Sequence, residues 1–413
     1  MAEKMTTSTI NYSEALAIAH AHLKQADAAL YEVNQSLHAT PELAYHEYKA
    51  HDNLCDYLEN QGFSVSRKAY GLETSFEASH GSGGGREVVI CAEYDALPEI
   101  GHACGHNLIA TSSMAAFLAA SRILSALKLP GRVRILGTPA EEGGGGKIAL
   151  IRAGAFSNAS ASIMSHPVPA HGVSDDPEVS GSAALNLVAS IKFRVEFRGK
   201  SAHAAGEPWN GVNALDAAVA AYNNVSLLRQ QIRTEQRVHA VIEDGGTVPN
   251  VIPDYTRMNW YIRSPTIEQG QELHKRVEAC IEAGASAAGC TFKYIRADDY
   301  KNVVGNRTIC KTYSKMMAIV GHKVLAEQER PLVASTDMGN VSHEIPSMHG
   351  AFVIPTASDA ALHSKNFAAA AAEKGAHKAA IDCGLGMALL AVNILCDDQL
   401  AEEMQNDFVN KRE

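Results

Sequence analysis

The sequence predicts an α/β protein whose larger domain, a central mixed sheet flanked by helices, is interrupted by an inserted ferredoxin-like α+β domain. Three observations predict it. Short apolar strands alternate with helical sequence through the first half of the chain. Between about Leu187 and Ala297 the order changes to β-α-β-β-α-β. The 413 residues also exceed what one ordinary core holds. The boundaries that follow are 1–186 with 300–413 for the larger domain and 187–299 for the insert.

Residues 13–38 place Leu16, Ala19, Leu23, Ala26 and Leu30 on one helical stripe. Pro41 ends that stripe, and a second helix is expected from about Glu47 to Gln61. Ser64–Glu77 reads as a strand, and the glycine run at 81–85 as a solvated loop. Three apolar strands follow at 88–92, 133–137 and 161–164, with a helix from about Asn107 to Leu127 between the first two. In the insert, an alternating strand (Ile191–Phe197) precedes an alanine-rich helix (Val212–Arg229). Strands near Val238–Ile242 and Met258–Arg263, a helix Ile267–Ala288 and a last strand Thr291–Arg296 complete it. From about Cys310 the chain returns to helix and short strand, which finish the first sheet.

Composition narrows the function classes. Hydrophobic residues make up 46% and charged residues 20%, the profile of a globular chain. The formal charge is −10 with no basic cluster, which argues against nucleic acid and anionic membrane as partners. Met1–Ile10 is polar and lacks an apolar export core, so a cytoplasmic location is expected. The apolar run 383–396 is short for a bilayer span and reads as a buried helix. The eight cysteines are scattered without a Cys-x-x-Cys pair, as expected of reduced thiols; Cys280 and Cys290 are the one pair close enough in sequence to consider.

Four clusters carry the chemistry, and each is ambiguous alone. Cys104-x-His106, just before a helix, can offer a thiolate and an imidazole to metal from one loop; it reads as well as a buried thiol beside an ordinary histidine. Glu141-Glu142, in Thr138–Gly146, places two carboxylates at a strand end, which is costly unless a cation sits nearby or the loop is solvated. The glycines after them do not make a phosphate loop, because Lys147 is followed by Ile148 rather than Ser or Thr. Ser165-His166-Pro167 follows the strand ending at Met164, and Leu362-His363-Ser364 lies near the C-terminal end. The ensemble of one Cys, three His and two Glu, most of them just beyond strands, is more informative than any member, because sites of α/β sheets form at strand carboxyl ends.

The order of these segments resembles the M20 metallopeptidases, in the amidohydrolase branch that uses Cys in place of a bridging Asp. The matching segments are His38-x-x-Pro41-Glu42-Leu43, Ala92–Pro98, Gly101–Asn107, Pro139–Gly146, Met164–Pro167, Gly199–Ala204 and His363-Ser364-x-x-Phe367. They span nearly the whole chain, and Ala92–Leu108 looks most like the dipeptidase and aminobenzoyl-glutamate hydrolase group of the branch. The resemblance implies that Cys104, His106, Glu142, His166 and His363 ligate two divalent metals, zinc or manganese, with Cys104 bridging. It implies Glu141 as the general base that takes a proton from the attacking water and hands it to the leaving amine. It implies a homodimer in which His203 of the insert reaches a partner's site and stabilises the oxyanion, a contribution of roughly 3 kcal/mol. Asn250 and Arg263 would grip a substrate carboxylate, Arg through its bidentate fork. The larger domain would be catalytic and the insert a dimerisation domain that closes on substrate. One departure marks a subgroup: Cys91-Ala92-Glu93 stands where the branch more often has Arg-Ala-Asp. Asp95 would orient a ligand or cap its loop.

The function expected is metal-dependent hydrolysis of an amide bond in a dipeptide or an N-acyl or N-aroyl amino acid with a free carboxylate. Two alternatives stand beside it: a cysteine-dependent amidase using Cys104 with His102 or His106, and a non-catalytic relative that binds ligand.

Overall fold

The computed structural model describes residues 10–82, 84–328 and 332–410. The chain divides into two compact units, one of residues 1–186, 303–332 and 336–413 and one of residues 187–302 with 333–335. The second runs three residues past the boundary read from sequence. Ser190 and Tyr300 exchange backbone hydrogen bonds of 2.8 and 2.9 Å, and Asn302 Oδ1 accepts from Ile267 N at 3.1 Å. These bonds hold the exit segment to the unit's first strand and last helix.

In chain order the first unit begins with helices Tyr12–Ala39 (α1) and Tyr48–Asn60 (α2). Strands Val65–Arg67 (β1), Phe76–Gly81 (β2) and Glu87–Ala92 (β3) lead to helix His106–Leu127 (α3). Strand Arg132–Gly137 (β4), helix Gly146–Arg152 (α4) and strands Ala161–Val168 (β5) and Val179–Ser182 (β6) follow. The second unit supplies strand Ala189–Arg198 (β7), helix Ala214–Leu227 (α5), strands Arg237–Asp244 (β8) and Tyr255–Ser264 (β9), helix Ile267–Ala288 (α6) and strand Thr291–Arg296 (β10). The first unit resumes with helix Arg307–Val320 (α7), strand Lys323–Leu325 (β11), helix Met338–Glu344 (α8) and strand Ser347–Val353 (β12). Helices Lys365–Ala371 (α9), Lys374–Cys396 (α10) and Asp398–Asn410 (α11) close it.

The first unit is built on an eight-stranded mixed sheet in the order β1-β2-β4-β3-β5-β12-β6-β11. Its centre, β4-β3-β5-β12, is parallel. Every residue of β3 is buried, as a central strand covered on both faces requires. Helix α1 starts where the Asn11 side chain accepts from Glu14 N at 3.3 Å, and its stripe Ala15, Ala19, Leu23, Ala26 and Leu30 is buried. Helices α3 and α10 are each long and apolar enough to cross a membrane by composition, and most of both is buried in the core. The expected helix at 383–396 is thus the last part of a 23-residue one.

The second unit is a four-stranded antiparallel sheet, β10-β7-β9-β8, the ferredoxin-like order, packed on α5 and α6 through Trp260, Phe193, Phe197, Val277 and Ile281.

Two local readings change. The expected strand 64–77 is two short strands, because Lys68 and Tyr70 adopt left-handed φ of 54° and 57° and turn the chain between them. The strand expected to end at Met164 continues to Val168, because β12 pairs with it as far as Val353↔Val168. His166 therefore sits on a strand, opposite Ala351, rather than in a loop. All eight cysteines are free.

Candidate metal centre

The parallel register places three functional segments side by side. Ala92 of β3 pairs with Gly137 of β4, and Ile90 with Ile163 of β5. Glu93–Asp95 leaves β3, Thr138–Glu142 leaves β4, and His166 lies near the end of β5, so all three emerge at one sheet edge. Cys104 and His106 arrive at the start of α3. The glycine between them adopts φ +83°, and a Cβ there would lie 2.6 Å from the Pro167 ring, so only glycine lets this loop approach β5.

Cys104, His106 and His166 each bring a ligand atom within 4.8 Å of the others, and so do Cys104, Glu142 and His363. The two groups share the thiol. Cys104 Sγ is 3.2 Å from His166 Nε2, and His363 Nε2 is 3.5 Å from Glu142 Oε1. His363 is held beside the thiol by its own N–H, which donates to Ala103 O at 2.9 Å, and it adopts φ +62°, a strained conformation for a residue with a side chain.

Hydrogen bonds fix which imidazole nitrogen carries the proton. His166 Nδ1 donates to Pro167 O at 2.7 Å and His106 Nδ1 to Asp95 Oδ1 at 2.9 Å. Both Nε2 atoms are thereby left facing the cluster; at His106, burial is outweighed by Cys104 and Asp95, which raise the imidazole well above its ordinary pKa, so a cation bound at its Nε2 would displace a proton. The other Asp95 oxygen accepts from Glu142 N at 2.9 Å, so one buried carboxylate orients two members of the cluster.

The residues fit a divalent cation. His106 Nε2 and Glu142 Oε1 are buried without a hydrogen-bond partner. They lie 4.0 Å apart, and Glu93 and Glu141 approach the same nitrogen at 3.5 and 4.0 Å. Those spacings are long for hydrogen bonds and suit donors facing a shared ion. Burial, and then Glu142, pushes the Cys104 thiol well above its ordinary pKa, so a cation is what would keep it a thiolate. Burial and His106 hold His166 down at about 4, which keeps it neutral and able to ligate.

The adjacent glutamates are driven apart. Burial, Glu93 and Glu142 push Glu141 well above the usual carboxylate range. Glu142 is held down at about 2, because the imidazoles of His363 and His106 outweigh its burial. Two neighbouring carboxyls thus have opposite proton affinities, the arrangement that separates a proton carrier from a charged ligand.

Sequence reading missed a second buried group beside Glu141. Lys147 is fully buried, with Nζ at 2.5 Å from Glu93 Oε1 and 2.7 Å from Asp337 Oδ1. Its backbone N–H also donates to Asp337 Oδ2 at 2.8 Å. The oxygens of Glu93, Glu141 and Asp337 lie within 4.8 Å of one another. The ammonium therefore offsets carboxylate charge that the core would not otherwise tolerate. The departure at Glu93 was the one sequence signal for this group.

In the second unit, His203 and Asn250 are exposed and neighbouring: Ala204 N donates to Asn250 O at 3.0 Å, and His203 bridges to Val251. His203 Nδ1 accepts from Gly206 N at 3.0 Å, which leaves Nε2 to carry a proton outward. Arg263 is half-buried near the far end of β9, its guanidinium donating to Ser335 Oγ at 2.9 Å. The strand from Tyr255 to Arg263 spans roughly 26 Å at the rise of an extended chain, so within this unit Arg263 is not brought to His203 and Asn250.

Residues 89–380 match the family described as Peptidase family M20/M25/M40. An Xaa-Arg dipeptidase of Mus musculus is 38% identical over 400 residues, covering 94% of this chain and 90% of the relative. One of the subunits of the p-aminobenzoyl-glutamate hydrolase of Escherichia coli is 27% identical, with 89% of each chain covered. Among solved structures, a dinuclear metal binding peptidase of the M20 family from Bacillus subtilis superposes with a TM-score of 0.66 at 21% identity, over 90% of this chain and 99% of that one.

Proposed function

The chain belongs to peptidase family M20/M25/M40, and from that membership and its thiol, imidazole and carboxylate cluster we propose that it hydrolyses an amide bond in a dipeptide or an N-acyl or N-aroyl amino acid bearing a free carboxylate. The observation that carries this reading is the pair of ligand groups sharing Cys104, with the high-affinity proton site of Glu141 beside them. Cys104, His106 and His166 would hold one divalent cation, and Cys104, Glu142 and His363 a second, zinc or manganese. When bound, the cations supply positive charge that acidifies water and polarises the scissile carbonyl.

The protein's own groups account for the rest. Glu141 takes the proton of the attacking water as the C–O bond forms, and gives it to the amine as the C–N bond breaks. His203, with its Nε2–H facing outward, donates to the oxyanion. Arg263 and Asn250 bind the free carboxylate. His203 and Arg263 stand too far apart in one copy of the chain to touch one small substrate, which supports a homodimer that combines the ends of two copies. Similarity to the Xaa-Arg dipeptidase puts dipeptides ending in arginine first among substrates to assay, with aminobenzoyl and acyl conjugates after them.

The cysteine-amidase alternative has His106 within reach of the thiol, but burial, and then Glu142, raise the Cys104 pKa, and a thiol mechanism leaves the Glu141-Glu142 pair without a role. The deciding experiment removes metal with a chelator and restores it. Activity should vanish and return with zinc or manganese, and Glu141→Gln should lower kcat by about 10²–10⁴-fold with metal still bound. Activity that survives chelation and is lost to thiol alkylation refutes the proposal.

A further inference from the structure

The loop carrying Glu141 and Glu142 starts from an unfavourable backbone. Ala140 adopts φ +61°, a left-handed conformation that residues with a Cβ avoid. Its buried N–H donates to Glu47 Oε1 at 2.9 Å. Glu47 is itself fully buried; the same oxygen accepts from Tyr45 N at 2.9 Å, and Oε2 accepts from Thr74 Oγ1 at 2.8 Å. Tyr45 takes hold of the other end of the loop. Its hydroxyl donates to Gly144 O at 2.8 Å, and its ring fills the space where a Cβ on Gly144 would stand, 2.4 Å away.

The segment that does this is anchored independently of the loop. Glu42 Oε2 accepts from Lys49 N and Ala50 N at 2.8 and 3.0 Å, which ties it to α2. Its backbone oxygen accepts from Ala96 N at 2.8 Å, next to Asp95. Residues 42–47 thus form a clasp across the mouth of the loop.

We propose that Glu47 is a positioning residue for the reaction: through the Ala140 amide it holds the strained start of the loop, and so fixes where the Glu141 and Glu142 carboxylates point. This rests on the reading of Glu141 as base and Glu142 as ligand. Without the acceptor, the Ala140 N–H is stranded in the core and its left-handed φ loses the restraint on its amide side, leaving those on its carbonyl, which accepts from Gly144 N and Gly146 N at 3.0 and 3.4 Å. The loop then relaxes, and shifts of about 1 Å at reacting groups cost about 10²-fold in rate. Tyr45 restrains the same loop from its far end and contributes less, because its hydroxyl bond to Gly144 O lies near the surface.

The test uses the full chain loaded with zinc or manganese, as wild type, Glu47→Ala, Glu47→Gln, and Glu47→Ala combined with Ala140→Gly. Each is assayed for kcat, KM, metal affinity by chelator competition, and thermal unfolding. Glu47→Ala should lower kcat by about 10- to 100-fold with KM changed less than about threefold. Glu47→Gln keeps an acceptor facing Ala140 N–H and should recover most of the loss. Ala140→Gly should also recover at least about tenfold in the Glu47→Ala background, because glycine adopts φ above zero without penalty. A folded Glu47→Ala protein with wild-type kcat, or a loss that glycine at 140 leaves untouched, overturns the proposal. If Glu47→Ala does not fold, Tyr45→Phe takes its place: a kcat lowered about 3- to 10-fold supports the clasp and an unchanged one refutes it. Failure of the hydrolase reading would show separately, as metal-loaded wild type without turnover. Metal affinity then decides, lowered at least about tenfold in the variant if the clasp sets Glu142 and unchanged if it does not.

Discussion

Replacing Asp95 by Asn removes one oxygen and no volume, yet it should weaken metal binding as much as Asp95→Ala does. Both partners of this carboxylate donate: His106 Nδ1 at 2.9 Å and Glu142 N at 2.9 Å. Asparagine has one oxygen for two donors, so its NH2 must face an N–H. The direct loss is one hydrogen bond to a charged acceptor, ~1.5–3 kcal/mol, and a buried unmatched donor adds ~1–3 kcal/mol. The one escape is a tautomer switch that lets His106 accept at Nδ1, and this puts a proton on Nε2, the atom that would ligate. Even if half of that energy is absorbed by relaxation, ~1.25–3 kcal/mol remains, a loss of affinity of about 8- to 160-fold. Competition against a chromophoric chelator, with zinc and with manganese, measures it directly, and circular dichroism checks that the variant is folded. Affinity within threefold of wild type for Asp95→Asn would refute the claim that both hydrogen bonds orient ligands.

Three further outcomes are expected. Arg263→Lys should raise KM by about tenfold or more for substrates with a free carboxylate and much less for their amides, because the fork is lost and the charge kept; steady-state kinetics on the matched pair decides. Lys147→Met should cost about 3–5 kcal/mol in urea unfolding by stranding Glu93 and Asp337, and adding Asp337→Asn should return part of it. Burial, and then Asp95, raise Glu47 to about 7 from an unfolded value near 4.5. The folded state therefore prefers the protonated form; that stability is complete below about pH 4.5 and is lost as pH rises through about 7, on the order of 3 kcal/mol in all. Calorimetry should show Glu47→Gln gaining on wild type between pH 4.5 and 8, and parallel Tm curves would contradict it.

Much of this architecture is legible because its signals are local. The stripe of α1 and the alternation along β7 each lie within a few turns of chain. So do Cys104-x-His106 and Glu141-Glu142, whose spacing already states that they share a loop. What the sequence hides is pairing across distance. Lys147 looks like a failed phosphate-loop lysine until the fold brings Asp337 to it from 190 residues away. His166 looks like a loop residue because the strand that extends β5 over it lies far downstream. Glu47 reads as the opening of an amphipathic helix, and nothing near it announces that its carboxylate reaches an amide 93 residues on.

Strand β12 lies between β5 and β6 in the sheet, yet it is made some 180 residues after β5 begins. On the ribosome, the inner edge of β5 must stay open while the whole second unit is translated, and β6 has no neighbour until β11 and β12 arrive. His363 comes later still. A nascent or prematurely terminated chain therefore displays a long apolar edge, the feature that recruits chaperones and seeds aggregates. Chains halted anywhere before residue 363 would lack one member of the proposed metal-binding set, so quality control and the proposed catalytic competence become the same late event.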